Sequence, residues 1–211
     1  MRVVTKVMGL SLAFGLESMG RLRYIQHLGG RCRDLYSVTP QRTNEQQSQM
    51  RNLAYLSLGS NVGDRENHLR EAIRRLETAG RVVVVSSFYE TEPVEVTDQA
   101  WFLNCAAALE TTKAPQELLT ALLDIERDMG RRRTQRKGPR TIDIDILLVG
   151  DAVVDSAEVS IPHRAMHERR FVLEPLAEIA AEVRHPRLKK TVREMLDALP
   201  EGQVVRKAEK S

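Results

Sequence analysis

The chain has 211 residues, of which 42% are hydrophobic and 29% charged, an ordinary composition for a globular domain long enough to bury a core. Cys32 and Cys105 lie far apart, with no CxxC or His/Cys spacing, so neither zinc nor disulfides are expected and a reducing, cytoplasmic setting fits. The net charge is +3, but the first fifty residues carry seven Lys+Arg against three Asp+Glu; residues 51–211 are therefore at −1, which argues against a nucleic-acid-binding surface on the folded part.

Residues 7–16, following Arg2 and Lys6, imitate a signal peptide. No small-x-small cleavage site follows, and Arg21, Arg23, Arg31 and Arg33 come soon after. No run approaches the roughly 20 apolar residues of a membrane span. Residues 40–52 are polar and rich in Gln and Asn, as linkers are. Residues 1–52 are thus expected to form a poorly ordered extension ahead of a domain at 53–211, with Met50 standing where that domain would naturally begin. A competing reading is a helix from Leu10 to Tyr24, for which Leu12, Leu16 and Leu22 give patchy periodicity.

Within the domain, Ala54, Leu56 and Leu58 alternate with Leu53, Tyr55 and Ser57, predicting a strand that ends at Gly59. Asp64 can cap a helix with an apolar face of Leu69, Ala72, Ile73 and Leu76, stopped by Gly80. Val82–Val85 predicts a buried strand by its β-branching. Leu103–Leu109 predicts another strand, although its alanines would also tolerate a helix. Pro115 suits a helix start, Leu118, Leu122, Ile125 and Met129 form its buried stripe, and Gly130 ends it. The strand Ile142–Val149 follows, with Gly150-Asp151 expected to turn it into Val153-Val154 as a hairpin. Residues 165–200 read as helices broken at Pro175 and Pro186. The class is α+β, and the order β-α-β-β-α-β is that of the ferredoxin-like plait, with an added hairpin and C-terminal helices.

Side chains alternate across a strand, so Ile142, Ile144, Ile146 and Leu148 should line one face while Asp143 and Asp145 share the other. Two like charges there repel, and a divalent cation with a taste for hard oxygen ligands relieves the repulsion. Arg127, Arg131, Arg132, Arg133, Arg136, Lys137 and Arg140 surround the pair in sequence, mostly in the loop beyond Gly130. Guanidinium forks match phosphate oxygens, so acids plus arginines point to Mg²⁺-dependent phosphoryl transfer. The glycine turn Gly59-Ser60-Asn61-Val62-Gly63 precedes a helix but lacks a Gly-Lys-Ser/Thr ending, which excludes a P-loop.

Six stretches carry a resemblance: Leu-Ser-Leu-Gly-Ser-Asn at 56–61, Ser-Ser-Phe-Tyr-Glu-Thr at 86–91, Phe-Leu-Asn at 102–104, Ile-Glu-Arg-Asp-Met-Gly-Arg at 125–131, Gly-Pro-Arg-Thr-Ile-Asp-Ile-Asp at 138–145 and Ile-Pro-His at 161–163. Through them the chain, from Leu53 to about Pro186, resembles the 6-hydroxymethyl-7,8-dihydropterin pyrophosphokinases of folate biosynthesis. The resemblance implies transfer of pyrophosphate from ATP to the pterin's hydroxymethyl group, with AMP released. It implies that Asp143 and Asp145 bind two Mg²⁺ ions bridging the ATP phosphates, and that Arg131 and Arg133 stabilise charge during attack. Arg140, His163 and Arg169 would hold the nucleotide, with Glu126 and Arg136 as further candidates. Phe102 and Phe171 would sandwich the pterin, Asn104 would read its edge, and backbone groups near Thr91 and Val94 would complete the pocket.

Some positions depart from the family pattern. The loop between Gly130 and Gly138 is one residue short, Lys137 stands in place of an aromatic, Arg170 in place of a frequent glycine, and Glu92 in place of a common proline. The expected partners are small molecules, ATP and the dihydropterin, with no nucleic acid, no membrane and no second subunit. Fusion to a neighbouring folate enzyme is not expected, since these 211 residues leave no second domain's length. Two other classes share the plait: another Mg²⁺-dependent nucleotidyltransferase and a non-catalytic RNA-binding module. The second needs exposed aromatics and a basic face, whereas only 4% of the chain is aromatic.

Overall fold

The computed structural model describes residues 6–7, 10–11, 52–93, 99–131 and 138–209. The chain divides into two compact units, Met1–Gln41 and Arg42–Ser211. In the first, β1 (Lys6–Val7) and β2 (Leu10–Ser11) pair antiparallel. The alternative helix from Leu10 is therefore extended at its start; its remainder lies outside the described residues. No helix among the described residues is long and apolar enough to cross a membrane.

The second unit is α+β, with helices packed on a mixed-length antiparallel sheet. Its elements are β3 (Asn52–Ser60), α1 (Arg65–Arg75), β4 (Arg81–Val85), β5 (Tyr89–Thr91), β6 (Phe102–Thr111), α2 (Pro115–Asp128), β7 (Asp143–Val149), β8 (Val154–Asp155), β9 (Ser160–Ile161), α3 (Arg170–Ala180), α4 (Val192–Asp197) and β10 (Val205–Lys207). The sheet runs β10-β5-β6-β3-β7, and β4 pairs with β6 beyond the β5 ladder. Helix α1 begins as expected, with the Asp64 carboxylate accepting from Asn67 N at 3.0 Å. Helix α2 opens on Pro115, the Glu117 carboxylate accepts from Ala114 N at 2.9 Å, and Gly130 beyond its end takes φ +84°.

Each face of the sheet has its own core. On one face Leu56, Leu58, Ile144 and Ile146 pack with Leu69 and Leu76 from the α1 region and with Leu118 and Leu122 of α2. On the other, Tyr55, Ala106, Ala108 and Leu147 pack under Val172, Leu173 and Leu176 of α3 and Met195 of α4. The alanines of β6 explain its ambiguous sequence: it is a ten-residue strand whose small side chains let α3 approach the sheet.

Several expectations need correction. Val82–Val85 is an edge strand rather than a buried one; Val83 and Val84 are 47% and 39% exposed, and a bulge falls between Val82 and Val84. Its β-branching reports strand propensity, which an edge satisfies as well as a core does. Gly80 does not end the helix by a left-handed turn. The α-helix stops at Arg75, a 3₁₀ turn follows at Leu76–Thr78, and Gly80 is needed because any Cβ there would strike the Glu110 carbonyl. Leu148 does not join Ile146: the register shifts between Tyr55 and Leu56, so Leu147 and Leu148 both reach the α3 side. The expected β7 hairpin is absent, because β8 pairs with β9 instead. Pro175 does not break its helix, and α3 runs through it to Ala180.

Candidate active site

The acid pair sits on the α3 side of the sheet, at the start of β7. There Asp143 lies opposite Gly59 and Asp145 opposite Ser57. Asp143 is held from two directions: its Oδ1 is 2.7 Å from Arg131 Nη1, and its Oδ2 accepts from Arg140 Nη1. Burial, and then the charge of Asp143, push the Asp145 carboxyl up to about 6, while Arg169, Arg140 and Arg131 pull it back. Within two residues of one strand, one acid is neutralised by arginines and the other is short of compensation.

Around this pair the chain assembles its cations. Arg131 also pairs with Glu126, whose carboxylate is only 3% exposed and accepts from Ile144 N at 2.7 Å. Burial raises the Glu126 pKa despite those donors. Glu126 therefore spends its oxygens on β7 and Arg131, inside the protein. Arg140 is anchored by its backbone to Asn61: Arg140 N donates to Asn61 Oδ1 at 2.8 Å, and Asn61 N donates to Arg140 O at 3.2 Å. Burial and the neighbouring Arg169 lower the His163 pKa to about 4. Its Nδ1 accepts from Ala165 N at 3.3 Å, so the neutral ring carries its proton on Nε2. Arg169 also lies over the ring of Phe171, 5.6 Å from the centroid.

Across the sheet from the acids lie Phe102 and Asn104, on the same face. Asn104 is the partner of Gly59 on one side and of Tyr89 on the other, and its Nδ2 donates to Thr91 Oγ1 at 2.7 Å. A Cβ on Gly59 would collide with Asn104 Oδ1, and Phe102 Cδ1 would be 3.9 Å away. The row Asp143–Gly59–Asn104 thus spans three neighbouring strands with a bare backbone at its centre. The structure brings together Glu126, Arg131, Arg140, Asp143, Asp145, His163 and Arg169 at one end of β7, with Thr91, Phe102 and Asn104 beside them on β5 and β6. Arg133, Arg136 and Val94 lie outside the described residues, as does Lys137. Sequence reasoning missed two participants, Gly59 as the floor between the two groups and Asn61 as the anchor of Arg140. Both lie in the Leu-Ser-Leu-Gly-Ser-Asn motif, whose sequence marks the resemblance and a glycine turn but assigns neither residue a role.

A cleft of about 890 Å³ lined by Arg65, Arg70, Phe88, Glu90 and Arg206 does not contain the acid pair. Its arginines are engaged with carboxylates: Arg65 and Arg206 with Glu90, Arg70 with Glu66. Lys207, also in its lining, is paired with Glu178.

Residues 55–181 match the family described as 7,8-dihydro-6-hydroxymethylpterin-pyrophosphokinase (HPPK), more than half of the chain. The chain belongs to this family. It is a pyrophosphokinase of folate biosynthesis, with ATP as the donor. Among proteins similar to this HPPK chain is the 2-amino-4-hydroxy-6-hydroxymethyldihydropteridine pyrophosphokinase of Bacillus subtilis (strain 168), 49% identical over 136 residues, covering 64% of this chain and 81% of that one. The enzyme of the same name from Methylorubrum extorquens is 49% identical over 132 residues, covering 62% and 84%. Among solved structures, the Plasmodium falciparum HPPK-DHPS wild type with pteroate aligns with a TM-score of 0.59 at 17% identity, covering 70% of this chain and 44% of that one. That likeness speaks for the fold alone, and this chain spans less than half of the fused protein.

Proposed function

We propose that the row Asp143–Gly59–Asn104 is where the two substrates of this HPPK meet, ATP at the acid end and 6-hydroxymethyl-7,8-dihydropterin at the amide end. The single observation that carries this reading is the register: β7, β3 and β6 are adjacent strands, so the two ends are about 10 Å apart on one face. That separation suits a phosphate chain approaching a hydroxymethyl group over a backbone that presents no side chain. The reading also takes the strand order β4-β6-β3-β7, with α1 and α2 on one face, as the ferredoxin-like plait.

Asp143 and Asp145 fit Mg²⁺. They are hard oxygen donors, and the upward shift of Asp145 is a desolvation and repulsion cost that a cation removes. Among the described residues no group of three or more His, Cys, Asp or Glu surrounds them, which suits an ion that takes one or two carboxylates and completes its shell with phosphate oxygens and water. When bound, Mg²⁺ supplies charge neutralisation along the polyphosphate. Arg131 and Arg140, held at the Asp143 carboxylate, would contact phosphate oxygens, and Arg133 and Arg136 would add to them. Neutral His163 would donate from Nε2, and Arg169 would add positive charge beside it. Glu126, sealed inside, positions Arg131 and β7 rather than touching the nucleotide. The pterin hydroxyl oxygen bonds to the β-phosphorus, the bond from that phosphorus to the α,β-bridging oxygen breaks, AMP leaves with that oxygen, and the hydroxyl proton passes to solvent. Phe102 and Phe171 hold the ring by stacking, and Asn104, oriented by Thr91, reads its edge with backbone groups near Val94. The same reading places the catalytic domain at residues 53–211 and takes the enzyme as a cytoplasmic monomer.

The test is AMP formation from ATP and the dihydropterin by the purified chain, with and without Mg²⁺, in the native protein and in Asp143→Asn and Asp145→Asn. Near-native turnover in both variants would remove the acid pair from the reaction.

A further inference from the structure

The family match ends at residue 181, yet the chain returns to the sheet afterwards. β10 lies antiparallel to β5, with Val205 opposite Thr91 and Arg206 opposite Glu90. Just before it, Glu92 N donates to Val204 O at 3.3 Å, and Val204 N donates to Glu92 Oε1 at 3.0 Å. Arg206 then bonds Glu90 at 2.7 Å and stacks 5.0 Å from the ring centroid of Trp101, the residue before Phe102. One residue ahead of this run, the Gln203 side-chain oxygen accepts from Phe171 N at 3.3 Å. Phe171 is the second residue of α3, where backbone N–H groups have no partner within the helix and need an acceptor from outside. The tail thereby touches both walls of the pterin pocket: the β5–β6 wall carrying Thr91 and Phe102, and the helix start carrying Phe171.

We infer that Gln203 is a positioning residue for the pterin pocket, fixing Phe171 at the start of α3 relative to the Thr91 wall through β10. The inference rests on the reading of Thr91, Phe102 and Phe171 as pterin contacts. Gln203 Nε2 is buried without a hydrogen-bond partner, so only the acceptor half of the amide is used. A carboxylate would keep that acceptor, and the N-terminal end of a helix favours it. At the far end of α3, Glu178 accepts from Tyr89 Oη at 2.7 Å, from Ser87 Oγ at 2.9 Å and from Lys207 Nζ of β10 at 3.2 Å, which anchors the helix independently of Gln203. Loss of the Gln203 contact should therefore loosen the pocket end without releasing α3.

The experiment is calorimetric binding of the dihydropterin and, separately, of Mg·ATP to the full chain and to Gln203→Ala, Gln203→Glu and Phe171→Ala, with thermal unfolding of each. Gln203→Ala is expected to weaken the dihydropterin about fivefold, the worth of one hydrogen bond. Mg·ATP affinity should stay within about twofold, and Gln203→Glu should restore pterin affinity to the same margin. Undiminished pterin affinity in Phe171→Ala would overturn the pocket reading itself. A loss there with none in Gln203→Ala would overturn the role of Gln203 alone. Equal losses for both ligands with a lowered Tm, or no recovery in Gln203→Glu, would reduce the contact to general stability and also overturn it.

Discussion

The two faces of the central sheet are built from the same strands and end differently. On the α1/α2 face, Leu58, Leu56 and Ala54 of β3 and Ile144 and Ile146 of β7 are apolar along the whole length and buried. On the α3/α4 face β3, β6 and β7 are apolar at one end of the sheet, with Tyr55, Ala106 and Leu147, and at the other carry Ser57 and the bare Gly59 on β3, Asn104 on β6, and Asp145 and Asp143 on β7. One face is a core throughout. The other is a core for half its length and carries the polar side chains of the candidate site over the remainder. Helix α3 divides them: its Val172, Leu173 and Leu176 cover the alanine section, and its first residues, with Arg169 just ahead, stand at the polar one.

This comparison is broken most severely at the polar end of β7. Asp143→Asn or Asp145→Asn should lower turnover by roughly 10³-fold or more without unfolding the domain, as steady-state rates and thermal melts on the same samples would show. The Asp145 variant adds a sign. A carboxyl whose folded pKa is raised binds more protons folded than unfolded, so its contribution to stability falls as pH rises from the ordinary carboxylate range to about 6. Asp145→Asn should remove that fall, and denaturation midpoints in Mg²⁺-free buffer between pH 4 and 7 would reveal a persistent slope if another group is responsible. Arg131→Ala and Arg133→Ala come next. Each should reduce kcat on the order of 10²- to 10³-fold with smaller changes in either KM; a pure KM effect would make them ground-state binders.

The apolar face should respond in the opposite manner. Leu58→Ala removes a fully buried side chain and is expected to lower stability by about 2–5 kcal/mol, with kcat per folded molecule retained. Urea unfolding alongside active-site titration separates the two, and a loss confined to kcat would mean that the faces are not independent. Phe102→Ala should weaken dihydropterin binding by roughly 1–3 kcal/mol while leaving Mg·ATP binding in place. Smallest of all, a chain shortened to begin at Met50 should keep its Tm and kcat/KM. A drop of several degrees would show that residues before Met50 contribute to the domain.

What could be read directly from the chain was whatever depends on near neighbours. Alternation places Asp143 and Asp145 on one strand face, Asp64 caps its helix, and Pro115 and Gly130 bracket theirs, because each rests on the geometry of a single turn or strand. Asn104 and Phe102 could be named from their motif but not related to Asp143, since that relation needs β3 between them. The tertiary structure decided what depends on a distant partner. Val82–Val85 is an edge because, among the described residues, it pairs with β6 alone, and Leu148 changes face because β7 bulges against β3. β5 and β10 are three residues each, too short for any periodicity; β5 is a strand because it pairs with β6 on one side and β10 on the other, and β10 because it pairs with β5. Gly59 looks from the sequence like the end of a strand; its missing side chain acquires meaning only when Asn104 on the neighbouring strand claims the space. Local geometry is written in adjacent residues, whereas pairing and close approach belong to pairs that the chain brings together only on folding.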